Sequence, residues 1–482
     1  MCFAGSLSQQ YSNEGSQFFL GFGLNNPFNT DTAELILTVT TSEASPVNFT
    51  VTTLTEFSFT GAVTSSSSVE LILPSDLTVS SATVRDGGIQ VSTVDPNKTI
   101  AVNGLNFEPR TSDAFLALPA HDYLVDQYKY VAVSMEWLAF PRQSTTVHLD
   151  STILIVSTKD NTEITITPTH DVSLPVDLRR SGDTHTTIRA GVSYTVYLQK
   201  MQTYLLSSTQ DLTGTVIISN KPITVLGGHE CAEVPIGIQH CDHMIEQIPP
   251  TLTWGQSFFT VVLNERGTSE FYRVVAAEDS TTVTQNCFSL DASELQYANS
   301  MYIASPSDFK EITISPNMYC YLQADKQIFV AQYDFGNEIT NNYGDPSMIS
   351  IIPCEQFTTN STITFNAYRN FSNFITVIVQ QKVIPTDIEV DNGILSGQWR
   401  TLYCSEGEVC AYVQLVPVSI GAHSVSFSGT FAVYVHGLES SRGYGYPAAM
   451  SLKCEYTHRV GWGWGVIVVS ESVSVTSHLL FV

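Results

Sequence analysis

The sequence predicts an all-β protein built as a tandem array of about four antiparallel β-sandwich-like units. Short stretches that alternate between apolar and polar residues, bounded by turn residues, recur along the 482 residues, and long amphipathic helical patterns are missing. Ser, Thr, Val, Ile, Tyr and Phe dominate, and only 14 % of residues are charged, as is typical of sheets with one solvated face. A strand-and-loop pattern also occurs four times. A large β-propeller, in which each unit supplies two blades, is the alternative fold that the spacing allows.

The repeat is clearest between Asn97 and Pro119. A turn at Asn97-Lys98 precedes an alternating strand, a polar loop, an aspartate and an apolar run that ends in proline. The equivalent strand residues of the four copies are spaced by 123, 105 and 103 residues: Ile100, Ile223, Ile328 and Phe431. A period of this length matches the size at which a chain encloses its own core, so each copy is predicted to be a small domain.

The repeat sets the predicted domain boundaries, which give β units at residues 15–119, 120–250, 251–356 and 357–454. Within each unit the pattern indicates an opening strand, a hairpin, two further strands and the strands of the repeat, about seven in all. Residues 1–14 form an N-terminal segment without the basic flank or apolar length of a secretory signal. Either this segment is a truncated signal region, or the prediction that the protein is secreted is wrong. Residues 455–482 form a C-terminal tail.

The charge balance excludes nucleic acid as a partner. Asp and Glu total 46 against 21 Lys and Arg, a formal charge of -25, which repels phosphate backbones and anionic membrane surfaces. No apolar run reaches the length of a transmembrane segment, and the last stretch is interrupted by Glu471, His478 and several serines. The sequence therefore predicts no transmembrane segment.

The cysteines predict disulfides and an oxidising compartment. Apart from Cys2, all of them lie from Cys231 onward, which allows up to four disulfides. The shortest loops would be closed by Cys231 with Cys241 and by Cys404 with Cys410, although the spacing leaves the connectivity open. Sequons for N-glycosylation are permissive evidence for the same compartment, and they lie at Asn48, Asn97, Asn360 and Asn370.

The densest cluster of chemically active side chains lies on the loop of the second copy. Two histidines and two cysteines in His-x-Cys and Cys-x-His spacing could supply the four tetrahedral ligands of a closed zinc site: His229, Cys231, Cys241 and His243. An oxidising compartment would instead join the two cysteines and remove their thiolates. We favour the disulfide over zinc.

An aspartate precedes the apolar run in three of the copies, at Asp113, Asp242 and Asp345. Short acidic side chains beside a turn commonly accept hydrogen bonds from free backbone amides. A shared structural role therefore explains the recurrence more simply than three active sites.

Catalytic motifs are not found. The sequence lacks G-x-S-x-G, H-E-x-x-H and a glycine-rich loop that opens a helix. Acid pairs such as Glu230 with Glu233, or Asp122 with Asp126, could serve a glycosidase, but chance pairs are abundant among 46 acids. Exposed aromatics would suit carbohydrate binding, and the candidates, each of which fits a core equally well, are Trp137, Trp254, Tyr444 and Tyr446. No catalytic residue and no cofactor is predicted.

Two stretches resemble the N-terminal domain of IgGFc-binding proteins. They are Gly104 to Pro119, with the sequence GLNFEPRTSDAFLALP, and Val216 to Phe259, which contains NKPITV, paired cysteines around a Val-Pro, CDHMIEQIPP and TWG. The likeness covers most of residues 15–455 and implies a secreted, mucus-associated or cell-surface binding protein with no known catalytic role. It also implies extracellular protein or glycan ligands. The cysteine-dense von Willebrand factor D modules of larger family members have no counterpart in this sequence. Antibody Fc binding has no residue-level motif that could be matched.

These observations lead to three hypotheses. The first is a secreted adhesion or recognition protein of the mucus-associated or innate-defence type, with mucins or microbial surfaces as ligands. The second is a structural component of extracellular matrix or mucus. The third and least favoured is a carbohydrate-active enzyme.

Overall fold

Alternating strand patterns and turn residues lead to a fold that is almost entirely β. The computed structural model describes residues 8–26, 33–123, 125–136, 149–174, 187–237, 240–263, 266–290, 292–336, 344–360 and 362–455. These residues contain no α-helix and only short 3-10 turns at Ser75–Leu77, Thr251–Thr253 and Cys354–Gln356, each directly after a proline. No helix in this part of the chain has the length and hydropathy of a membrane span.

The strands fall into four groups that follow the chain after β1 (Ser8–Ser12). The first group comprises β2 (Gln17–Leu20), β3 (Phe22–Gly23), β4 (Glu34–Thr40), β5 (Val47–Thr53), β6 (Ser58–Val63), β7 (Val69–Leu73), β8 (Thr78–Val79), β9 (Val84–Arg85), β10 (Ile89–Thr93), β11 (Ala101–Phe107) and β12 (Ser112–Ala117). The second group comprises β13 (Tyr128–Val131), β14 (Ser151–Ser157), β15 (Thr162–Thr167), β16 (Val172–Ser173), β17 (Thr187–Ile188), β18 (Tyr194–Leu198), β19 (Thr203–Ser208), β20 (Val216–Ser219), β21 (Ile223–Ala232) and β22 (Asp242–Gln247).

The remaining strands complete the last two groups. The third group comprises β23 (Gly255–Thr260), β24 (Glu270–Ala276), β25 (Thr281–Ser289), β26 (Leu295–Ile303), β27 (Phe309–Ile314), β28 (Met318–Tyr333) and β29 (Met348–Ser350). The fourth group comprises β30 (Thr362–Ala367), β31 (Ser372–Val379), β32 (Glu389–Val390), β33 (Gly393–Ile394), β34 (Arg400–Ser405), β35 (Glu408–Val418), β36 (Gly421–Ser426), β37 (Phe431–Glu439), β38 (Arg442–Ala449) and β39 (Ser451–Glu455).

Three of the strand groups form two sheets each, and the third forms one. In the first group the sheet orders are β2-β10-β5-β6 and β12-β11-β4-β7, and in the second they are β13-β20-β15-β18 and β22-β21-β14-β19, with β9 of the first group paired to β19. The third group is a single seven-stranded sheet, because the long strand β28 pairs with β23 and β25 in its first half and with β24 and β29 in its second. The fourth group has the orders β30-β36-β32-β33 and β34-β35-β31-β37-β38.

All these pairings are antiparallel, apart from the short parallel pair β3–β8. The predicted all-β class with antiparallel, sandwich-like sheets is therefore confirmed. The described strands do not form the propeller that was the alternative. The boundaries of the four predicted units stay a prediction.

The four repeated strand residues begin equivalent hairpins. All four residues are buried: Ile100 directly precedes β11, Ile223 and Phe431 are the first residues of β21 and β37, and Ile328 lies within β28. These strands belong to the hairpins β11–β12, β21–β22, β28–β29 and β37–β38. The last strands of these hairpins meet, since β12 contacts β22 and β38, while β29 also contacts both β22 and β38. The sequence repeat therefore marks the place where the four strand groups come together.

The apolar core continues across the groups. Leu154, Leu205, Leu226 and Ile245 of the second group lie in the same buried cluster as the apolar side chains of the first group. Pairing of β1 with β39 also brings the two ends of the described chain together. Burial of this kind removes apolar surface from water at the joints as well as inside each group.

Candidate functional site where four hairpins meet

Asp113 occupies the centre of the meeting point. It lies on β12, is fully buried, and accepts backbone N–H hydrogen bonds from all four strand groups. Its Oδ1 accepts from Ala114 at 2.9 Å and Gly445 at 3.3 Å, and its Oδ2 accepts from Ile245 at 3.1 Å and Met348 at 3.0 Å. Burial raises the pKa of Asp113, and the four amide donors act in the opposite direction. The effect of burial is the larger one, so the pKa of Asp113 lies well above its ordinary value.

Asp242 makes a second connection of the same kind. Its Oδ1 accepts from the amides of Ser112 at 2.6 Å and His243 at 2.7 Å, and its Oδ2 accepts from the amide of Gly443 at 3.1 Å. Burial and the nearby charge of Asp345, which is also buried, raise the pKa of Asp242. The three recurring aspartates thus lie together, and the bonds of the first two support the structural role that the sequence predicts.

Further polar side chains of β22 extend this network. Glu246 accepts a hydrogen bond from the amide of Ser350 at 3.1 Å, and Gln247 accepts one from the amide of Leu118 at 3.0 Å. Sequence reasoning missed both residues, which lie inside the apolar run HMIEQIPP. A charged residue in an otherwise buried strand was the signal that could have identified Glu246.

The histidine and cysteine cluster lies beside this network. Cys231 and Cys241 form a disulfide. His229 accepts a hydrogen bond at Nδ1 from the amide of Cys231 (3.0 Å), and His243 Nε2 lies 3.2 Å from the side-chain amide of Asn106. Burial lowers the pKa of His229 to about 3 and that of His243 to about 4, so both rings are neutral. Because both sulfurs are bonded to each other, the zinc alternative is left without its two thiolate ligands, and the described residues bring no ligand trio together here.

Two more disulfides occur among the described residues. Cys404 and Cys410 are joined, as are Cys287 and Cys320, which face each other on β25 and β28. Sequence reasoning did not pair the last two, because their contact depends on the register of two strands that are not neighbours in the chain. Cys354 is a buried free thiol.

The candidate aromatic residues are core residues rather than exposed platforms. Trp254 is buried and donates its indole N–H to the carbonyl of Pro249 at 2.9 Å. Tyr444 and Tyr446 are fully buried beside Tyr368. The suggestion that these three bind carbohydrate is therefore wrong, since all three side chains are buried. Trp137 lies outside the described residues.

The acid pairs have separate structural environments. Glu230 is buried and accepts the amide of Asp150 at 3.0 Å, and burial raises the pKa of Glu230 to about 7. Glu233 accepts the amide of Gly237 at 3.1 Å. Asp122 forms an ion pair with Lys159 at the surface. Glu230, Glu233 and Asp122 therefore each have a local partner of their own.

One further arrangement has the residue types of a hydrolase triad. His423 Nδ1 lies 2.6 Å from Asp391 Oδ2, and its Nε2 lies 2.7 Å from the carbonyl oxygen of Ser419 but 3.4 Å from the Ser419 hydroxyl. The shorter contact is to an atom that has no proton to give. The ring therefore closes a hairpin loop and does not activate the serine.

The four sequon asparagines are all exposed. Asn48 and Asn97 lie in the first strand group, whereas Asn360 and Asn370 lie at the start of the fourth. Their amide nitrogens are within reach of solvent, as glycan attachment requires.

Comparison with known proteins relates the chain to a protein family. The model of the IgGFc binding protein family matches residues 113–437, which is more than half of the chain. The human IgGFc-binding protein is 25 % identical over 257 residues, a stretch that covers 52 % of this chain and 4 % of that protein. The chain therefore spans only a small part of the length of this relative.

Proposed function

Because the chain belongs to the IgGFc binding protein family, we propose that it is a secreted or cell-surface, non-catalytic binding protein of the mucus-associated or innate-defence type. The observation that carries the proposal is the bonding of Asp113, which joins the four strand groups at one buried point. A core held in this way keeps the outer sheets and clefts in fixed positions. Fixed surfaces bind with less loss of conformational entropy than mobile ones.

The buried acids support a binding role over a catalytic one. The oxygens of Asp113 and Asp242 accept backbone amides, and each of these acids lies in the core rather than in an open cleft. A glycosidase needs two carboxyl groups that face a substrate.

The related human protein is named for binding the Fc part of IgG. Antibody Fc is therefore the first protein ligand to test, together with mucins and microbial surface extracts. Purified, oxidised protein would be passed over each immobilised ligand by surface plasmon resonance. Saturable binding that disappears after heat unfolding is the expected result. If a substrate is hydrolysed and a single acidic substitution abolishes the hydrolysis, the protein is an enzyme and the proposal fails.

A structural role in extracellular matrix or mucus is the second candidate, and strand β26 favours it. Residues 296–300 in the middle of this strand are exposed, and β26 pairs on one side only, with β25, among the described strands. A free strand edge can pair with a second copy of the chain. Concentration-dependent polymers in light scattering that disappear in an Ala298→Pro variant would establish this second function.

Secretion and glycosylation complete the proposal. Three disulfides and four exposed sequon asparagines suit an oxidising compartment. Expression with a secretion signal in eukaryotic cells should give a product whose mass falls after treatment with peptide N-glycosidase. A product of unchanged mass would remove the glycoprotein assignment.

A further inference from the structure

We propose that the cleft between the third and fourth strand groups binds the carboxylate of an acidic sugar, an inference that rests on the binding function proposed above. The cleft has a volume of about 580 Å³, within the size range of small-ligand pockets. Val261 and Val413 are buried and form an apolar floor, whereas Asn317, Gln398 and Arg400 are exposed and form the rim.

Arg400 supplies the positive charge that such a ligand needs. It is the first residue of β34, and its guanidinium forms no ion pair or hydrogen bond with the described part of the chain. Several other cations of this acidic protein are paired, as Lys98 is with Glu43 and Arg369 is with Glu34. A guanidinium donates two parallel hydrogen bonds to a carboxylate, so a free arginine on a cleft rim is suited to this group.

Three amide side chains line the same cleft. They belong to Asn317, Gln398 and Gln414. The Oε1 atom of Gln414 is buried without a hydrogen-bond partner in the described residues, while its Nε2 donates to the carbonyl of Ser396 at 3.4 Å. A buried oxygen without a donor is unfavourable, and a ligand hydroxyl would satisfy it. Amides both donate and accept, as the hydroxyls of a sugar ring require.

The arrangement favours a sugar over a peptide. The amides and the guanidinium come from three separated segments, near residues 317, 398–400 and 414, and converge on one compact cleft. An extended peptide would instead be held through its backbone along a strand edge. The carboxylate of an acidic sugar would pair with the one guanidinium, and the hydroxyls of the sugar would form hydrogen bonds with the three amides.

The overall charge of the protein further restricts the class of ligand that can bind. A formal charge of -25 repels polyanions such as sulfated polysaccharides. An otherwise neutral glycan that ends in one acidic sugar carries a single negative charge, and Arg400 can pair with that charge. We therefore expect selectivity for terminal, singly charged acidic sugars.

Isothermal titration calorimetry on the whole chain tests the proposal with sialyllactose, lactose and glucuronic acid as probes. Sialyllactose should bind saturably and lactose should not. Arg400→Gln should lower the affinity at least tenfold, Arg400→Lys should restore only part of it, and Gln398→Ala should lower it several-fold. Arg85→Gln is the matched control, because Arg85 is also exposed but lies in the first strand group, and it should retain full affinity.

Circular dichroism establishes that each variant is folded before it is titrated. The proposal is overturned if no acidic sugar binds, if lactose binds equally well, or if Arg85→Gln weakens binding as much as Arg400→Gln. Tighter Arg400-dependent binding of a peptide with a free carboxyl terminus would also overturn it. Retained capture of Fc or mucin by the Arg400→Gln variant would leave the proposed function intact and remove only the sugar site.

Discussion

At the scale of single residues, buried carboxylates connect segments that are far apart in the chain. Asp113 reaches amides at positions 245, 348 and 445, which local sequence could not have suggested. Backbone amides that are left without an acceptor in the core are costly. Side chains of this kind therefore control how the strand groups pack.

Replacement of Asp113 tests this role. Asp113→Ala should lower the free energy of unfolding by about 3 kcal/mol or more, because four buried amides lose their acceptor. Urea denaturation measures the loss, and Asp126→Ala at an exposed position is the matched control. Ligand binding of the folded variant should be unchanged. Lost binding with an unaltered unfolding midpoint would show instead that Asp113 belongs to a functional site.

The buried histidines predict an acid-sensitive part of the stability. Folding lowers the pKa of His229 and His243 from 6.5 to about 3 and about 4. Their contribution is therefore fully present above pH 6.5 and is lost as the pH falls from 6.5 toward 4 and 3. His243→Gln keeps an acceptor for Asn106 and should flatten this dependence.

The measurement is the urea midpoint between pH 7 and pH 4, compared between variants. The comparison is needed because burial raises the pKa of Glu246, which favours the folded state in acid and opposes the histidines. His240→Gln, at an exposed position on the same loop, should leave the dependence unchanged. If the urea midpoints of the wild type and of His243→Gln change with pH in the same way, the prediction is contradicted.

At the scale of elements, the four hairpins share one design but differ in how their loops are closed. The β21–β22 loop is closed by the disulfide between Cys231 and Cys241, and Asp242 follows directly. The β11–β12 turn is instead closed by a hydrogen bond from the backbone N–H of Glu108 to the backbone carbonyl of Thr111. The disulfide therefore restricts the loop that directly precedes Asp242.

Removing this disulfide should have a measurable cost. Cys231→Ser with Cys241→Ser should lower the free energy of unfolding by about 2 to 3 kcal/mol. The pair Cys404→Ser with Cys410→Ser is the comparison, and its effect should be smaller because its shorter loop lies on an edge strand. Thermal unfolding of both double variants measures the difference. Equal losses would show that the position of Asp242 does not depend on the loop closure.

At the scale of the whole molecule, polar contacts connect the strand groups as well as apolar ones. The buried Arg273 of the third group donates from its Nη1 to the carbonyl of Ser134 and to Asp211 Oδ2, both at 2.7 Å, in the second group. Its Nη2 contacts Glu311 Oε1 at 2.6 Å, and its guanidinium lies 4.3 Å from the ring centre of Phe309. This side chain joins two sheets that are distant in sequence.

Arg273→Met should destabilise the protein by about 3 to 5 kcal/mol, because the buried charge of Asp211 would lose its partner. Arg369→Ala is the control, since the ion pair of Arg369 with Glu34 is exposed and should contribute less than about 1 kcal/mol. Denaturant unfolding measures both. If both substitutions lower the free energy of unfolding by the same small amount, the contact between the second and third strand groups is held by apolar packing alone.

The predicted domain boundaries can be tested with a fragment. Residues 15–119 should not fold stably alone, because Leu154, Leu205 and Ile245 complete their apolar cluster and Asp113 would lose three of its four donors. A proton–nitrogen NMR spectrum of the fragment should show collapsed amide dispersion. A dispersed spectrum would show that the first unit is an independent domain.

The sequence by itself determined the all-β class, the fourfold repeat and the recurrence of Asp113, Asp242 and Asp345. Strand alternation, turn residues and repeat spacing are local properties, and they can be read along the chain. The buried positions of Ile100 and its equivalents follow from the same alternation.

Only the tertiary structure decided which distant segments meet. The register that pairs Cys287 with Cys320 and the inward position of Tyr444 and Tyr446 depend on how whole sheets pack. The convergence of four hairpins on Asp113, like the cleft beside Arg400, involves residues more than a hundred positions apart or on separate sheets. Such contacts are set by the burial of apolar surface between sheets, a property of the packed molecule that no single stretch of sequence contains.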